Sequence, residues 1–102
     1  MNDRTERDGN FEYVISESVM ADIATTAALG TKGVTGTRGK GIFVKNEDGN
    51  LLAEVHIRAC YGADLRTLAL TVQQNVAKAI RCMISQQNVT VHVTIEDLSV
   101  AK

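Results

Sequence analysis

Apolar residues recur along this chain with two periods, every second residue in some stretches and every third or fourth in others. Phe11, Tyr13 and Ile15 alternate with Glu12 and Val14, which predicts a short first strand that Ser16 stops. Ser16 can cap a following helix, and Glu17 suits the positive end of its dipole. Val19, Ile23, Ala24, Ala27 and Ala28 then follow at helical spacing, with Gly30 as a left-handed terminator, so a helix is expected from about Glu17 to Leu29. The glycine-rich run up to Ile42 predicts an irregular strand or loop, Ile42 to Val44 a strand, and Asn46 to Asn50 a hairpin turn. Leu51, Ala53, Val55, Ile57, Ala59 and Tyr61 alternate with Leu52, Glu54, His56, Arg58 and Cys60, the clearest strand in the chain. Asp64 can cap a second helix whose core stripe is Leu65, Leu68, Ala69, Val72, Val76, Ala79, Ile80 and Met83. Val89, Val91, Val93 and Ile95 alternate with Thr90, His92, Thr94 and Glu96 in a last strand.

The expected order is strand, helix, strand, strand, helix, strand. This is an α+β fold of the ferredoxin-like type: a two-layer sandwich with a mostly antiparallel four-stranded sheet and two helices on one face. Without the first strand, α-β-β-α-β remains a two-layer arrangement. Residues 11–99 are expected to form a single domain, because a chain of 102 residues suits one core. Residues 1–10, charged and with only the initiator apolar, are expected to be a mobile tail.

Eleven Lys and Arg against twelve Asp and Glu leave a net charge of −1, which argues against a dedicated nucleic-acid binder. No run is long and apolar enough for a membrane helix, and residues 1–10 lack the apolar centre of a signal peptide, so a cytoplasmic location without direct membrane insertion is expected. Cys60 and Cys82 lack zinc or redox spacing and read as reduced thiols.

Chemical motifs are sparse. Gly36 to Gly41 contains Arg38 and Lys40 and is flanked by Lys32 and Lys45, a combination able to approach a phosphate, but it leads into a hairpin and not a helix. His56 and His92 lie on the polar faces of two strands that the ferredoxin order places two spacings apart, near 10 Å, which is awkward for a shared ion. No nucleophile elbow or paired-histidine zinc motif occurs, so no catalytic residue, cofactor site or metal site is assigned. The candidate interaction surface is the uncovered sheet face with Phe43, His56, Arg58 and His92, extended by Arg38 and Lys40.

Ile15-Ser16 before Val19, Ile23-Ala24 with Ala27-Ala28, Gly33-Val34 before Gly36, Val44 before the acidic turn, Tyr61-Gly62 ahead of Leu65, Val72-Gln73 with Val76, Met83, and Val89 to Val93 together resemble the alkaline shock protein family. That family comprises small envelope-stress proteins of Gram-positive bacteria. The resemblance runs from Ile15 to Ile95, with two departures: Lys32 stands where the family usually has proline, and Ile84-Ser85 where it has a Thr-Gly pair. It implies a protein without enzymatic activity or cofactor that self-associates or binds a protein partner, including a small membrane-anchored one that would bring it to the membrane. The alternative is a nucleic-acid-binding regulator that uses residues 32–45.

Overall fold

The computed structural model describes residues 15–84 and 88–100. The elements are α1 (Glu17–Leu29), β1 (Val34–Glu47), β2 (Asn50–Cys60), α2 (Leu65–Ile84) and β3 (Val89–Ser99). Of the predicted first strand, residues 11–14 lie outside the described residues, as does the charged segment 1–10, and Ile15 belongs to no strand.

Among the described residues the sheet has three strands in the order β1-β2-β3, with β1 antiparallel and β3 parallel to the central β2. The expected four-stranded, mostly antiparallel β-α-β-β-α-β sheet is therefore corrected to a mixed three-stranded one, in the α-β-β-α-β order held as the alternative. The cause is direct pairing. β2 and β3 are in register from Leu51–Val89 to Ile57–Ile95, so the position the ferredoxin order reserves for a first strand between them is closed. The two strands are joined through α2, as parallel neighbours require.

Local chemistry explains the boundaries. The Ser16 hydroxyl accepts from the Val19 amide at 3.1 Å and caps α1, and the Asp64 carboxylate accepts from the Thr67 amide at 3.2 Å at the start of α2. Gly30 is not left-handed, contrary to expectation. Its φ is −80°, because its amide still bonds the Thr26 carbonyl, and the left-handed turn falls instead at Gly33, with φ of 102°. The β1–β2 hairpin turns through Asp48 and Gly49, both at positive φ, the signature of a type I′ connection. Glu17 Oε2 accepts from the Asn46 amide at 2.8 Å and ties the first turn of α1 to the end of β1.

The core lies between the helices and the inner face of the sheet. β2 supplies Leu51, Ala53, Val55, Ile57 and Ala59, and α2 supplies Leu68, Val72, Val76 and Ile80. Each fully buried aliphatic side chain of this size is worth about 1.5–3 kcal/mol. In α1 the buried residues are Met20, Ala24 and Ala28, so of the predicted stripe Ala24 and Ala28 are buried, Val19 is exposed, and Met20 was not foreseen. Fully buried Ala24 and Ala28 leave no bulk between this helix and its neighbours. Val19 and Ile23 face instead an apolar groove of about 490 Å³ between the helices, closed on the α2 side by Ala79, Cys82 and Met83. Leu65 and Met83, expected in the α2 stripe, are exposed.

Candidate functional site

The open face of the sheet is where His56, His92 and the ion pairs seen among the described residues meet. β2 alternates strictly, so its outward side chains Leu52, Glu54, His56, Arg58 and Cys60 stand opposite the buried set. Parallel pairing sets Glu54 opposite His92 and His56 opposite Thr94. The two histidines therefore lie on adjacent strands, not two spacings apart, and Glu54 stands between them.

The result is a row of alternating imidazoles and carboxylates. His92 Nδ1 is 3.1 Å from Glu54 Oε2, Glu54 Oε1 is 3.9 Å from His56 Nε2, and His56 Nδ1 is 2.6 Å from Glu96 Oε2. A carboxylate oxygen accepts, so both Nδ1 atoms act as donors. The two rings differ in freedom. The His56 side chain is 16% exposed and that of His92 58% exposed, so His56 is clamped while His92 still meets solvent. The Phe43 ring lies nearly parallel to that of His56, with an interplanar angle of 15° and centroids 6.3 Å apart, and Lys45 Nζ sits 5.8 Å from the Phe43 centroid.

A bulge in β3 completes the row. Ile57 pairs with Ile95 but Arg58 pairs with Asp97, so Glu96 is an extra residue, and both Glu96 and Asp97 reach groups on the open face. Asp97 Oδ2 is 3.6 Å from Nε of both Arg58 and Arg38. Arg58 Nε is shielded from water yet makes no hydrogen bond. Arg38 arrives from a second irregularity: between the pairs Thr37–Ile57 and Ile42–Val55, residues 38–41 of β1 stand against His56 alone. Gly39 and Gly41 have φ of 61° and 76°, which lets this segment bulge, and Gly39 comes close to Glu96 across β2.

Of the predicted surface residues, Phe43, His56, Arg58, His92 and Arg38 are brought together on or at the edge of this face, while Lys40 sits exposed on the bulge. Asp97 was missed by sequence reasoning. The consecutive acids Glu96-Asp97, which break the alternation of the last strand, were its only signal. A carboxylate–imidazole row can orient rings and relay a proton. Cys60, the thiol on this face, turns its Sγ to the Tyr61 carbonyl at 3.6 Å. Among the described residues no group of three or more His, Cys, Asp or Glu is arranged to hold a metal ion, and no described helix is long and apolar enough to cross a membrane.

A family model described as the alkaline shock protein 23 family, with cell envelope-related function, matches residues 37–100, more than half of the chain. The chain belongs to this family. The matched span holds nearly all of β1 together with β2, α2 and β3, and with them the whole imidazole–carboxylate row. No curated protein matches the chain. Among solved structures, it is similar to the CTD of MamM. One single-substitution variant of that domain aligns with a TM-score of 0.56 at 15% identity, covering 85% of this chain and 100% of that one. A zinc form of another variant gives 0.54 at 15% identity over 83% and 86%. At such identity the likeness is one of fold.

Proposed function

We propose that this member of the alkaline shock family is a non-enzymatic assembly or adaptor protein that works by protein contacts through the uncovered sheet face. The observation that carries this reading is the composition of that face. Its polar groups largely find partners within the protomer, Glu54 with His92, Glu96 with His56, and Asp97 with Arg38 and Arg58. Phe43, Leu52, Thr90 and Thr94 lie among them, a mixture of apolar and polar groups that suits a reversible interface with Phe43 as an aromatic anchor. The cell envelope-related function of the family supports a partner at the membrane, reached without a membrane helix in the described part of this chain.

The test is recovery of partners by the tagged chain from native cytosolic and membrane fractions, beside a Phe43→Glu, His56→Glu double variant. Capture of a small membrane protein by the wild type and its loss in the variant is the expected result. Equal capture by both, or recovery of nucleic acid alone, refutes the reading. Against the nucleic-acid alternative stands Asp97, whose carboxylate lies 3.6 Å from Arg38 Nε and partly offsets the positive field of the basic segment. Salt-sensitive retardation of DNA or RNA that disappears in Arg38→Ala plus Lys40→Ala would reinstate that alternative.

A further inference from the structure

The two edges of the sheet are built differently. β1, at one edge, is interrupted by the bulge at residues 38–41 and carries Arg38, Lys40 and Lys45, the irregularity and charge that discourage edge-to-edge pairing. β3, at the other, contains no lysine and no proline and is regular from Val89 to Ile95. Among the described residues no strand pairs with the side of β3 turned away from β2, and one bond identifies the groups on that side. In a parallel pair each residue bonds the neighbours of its partner, and the Leu51 amide donates to the Asn88 carbonyl at 2.8 Å. The carbonyls of Asn88, Thr90, His92 and Thr94 thus face β2, and the N–H and C=O groups of Val89, Val91, Val93 and Ile95 face outward. Among these, the Val91 carbonyl accepts from Gln73 Nε2 at 3.0 Å.

We infer that β3 pairs antiparallel with β3 of a second copy of this chain, with Thr94 at the two-fold axis. The inference deepens the assembly reading and rests on it. Only outward-facing residues can exchange hydrogen bonds, so Val93 and Ile95 of one copy would bond Ile95 and Val93 of the other. This register leaves the Gln73–Val91 bond intact. It also sets His92 opposite Glu96 of the second copy, twice by symmetry. His92 is the exposed ring of the row, and Glu96 is already held by His56, so the two rows would join into one that crosses the interface. Charge complementarity selects this register: a centre at Val93 sets His92 against Thr94, and a centre at His92 sets the two imidazoles against each other.

Thr94 gives the test. Sedimentation of the wild type at rising concentration should show a dimer, and Thr94→Lys, which opposes two ammonium groups on the axis, should weaken it about tenfold or more. An unchanged thermal melt would establish that the variant is folded, and Thr37→Lys on β1 should leave the dimer unchanged. In a Cys60→Ser, Cys82→Ser background, Thr94→Cys should oxidise to a covalent dimer, since directly opposed non-hydrogen-bonded residues have Cα atoms about 4.5 Å apart. His92→Cys should not cross-link to itself. A chain that stays monomeric at millimolar concentration, or a dimer indifferent to Thr94→Lys, overturns the pairing. A monomer that still captures its partner from membrane fractions overturns the pairing alone and leaves the adaptor reading standing.

Discussion

β2 presents two faces on one backbone, and they do opposite things. Leu51, Ala53, Val55, Ile57 and Ala59 point to the helices and are at most 2% exposed, while Leu52, Glu54, His56, Arg58 and Cys60 are only partly covered. The inner set is held by exclusion of water, which has no preferred direction, so any well-shaped aliphatic side chain serves there. The outer set is held by directional contacts between particular groups, each weak in water. Stability therefore resides on one face. The other is left to vary, and that freedom is what a recognition surface needs.

The sharpest way to break this comparison is to substitute neighbours across it. Ile57→Ala should cost about 2–5 kcal/mol, the price of emptying a core site, as read by denaturant unfolding. An effect below one kcal/mol would mean that the core is not where the burial places it. Gly33→Ala should come next, at about 1–3 kcal/mol, because a positive φ disfavours any side chain and the new Cβ would lie 3.2 Å from Leu68 Cδ1. A thermal melt unchanged by that substitution would refute the strain argument. Asp64→Ala should remove about 1 kcal/mol by uncapping α2, visible as a lower unfolding midpoint, whereas Asp64→Ser should recover most of it. The smallest effect is expected one residue from the first, where Arg58→Ala on the open face should change stability by only about 0–1 kcal/mol, since its ion pair with Asp97 is long and partly solvated. If Arg58→Ala proves as costly as Ile57→Ala, the open face is a structural element and the division of labour proposed for β2 is wrong.

Much of the architecture was legible in advance because local rules govern it. The span of α1, the end of β2 near Cys60, the hairpin through Asp48-Gly49 and the caps at Ser16 and Asp64 each follow from a few adjacent residues. The stripe of α1 was read only in part, with Ala24 and Ala28 placed correctly and Met20 missed, because the helix is rich in alanine and threonine. Thr25 and Thr26 satisfy their hydroxyls on the carbonyls of Ala21 and Asp22, so hydropathy alone marks the buried side poorly. The candidate surface was legible as a set of residues but not as a set of contacts.

By itself the sequence determined the two helices, the hairpin, the alternating faces of β2 and β3 and the two-layer arrangement, because these depend on periodicity and on turn chemistry within a few residues. Only the tertiary structure decided which strands are neighbours. Pairing β2 directly with β3 is a long-range choice across the α2 crossover, and no local pattern records it. That choice turned two remote histidines into one row with Glu54 and Glu96. The bulge at Glu96, a register event between strands 38 residues apart in sequence at Glu54 and His92, then brought Asp97 onto the same face.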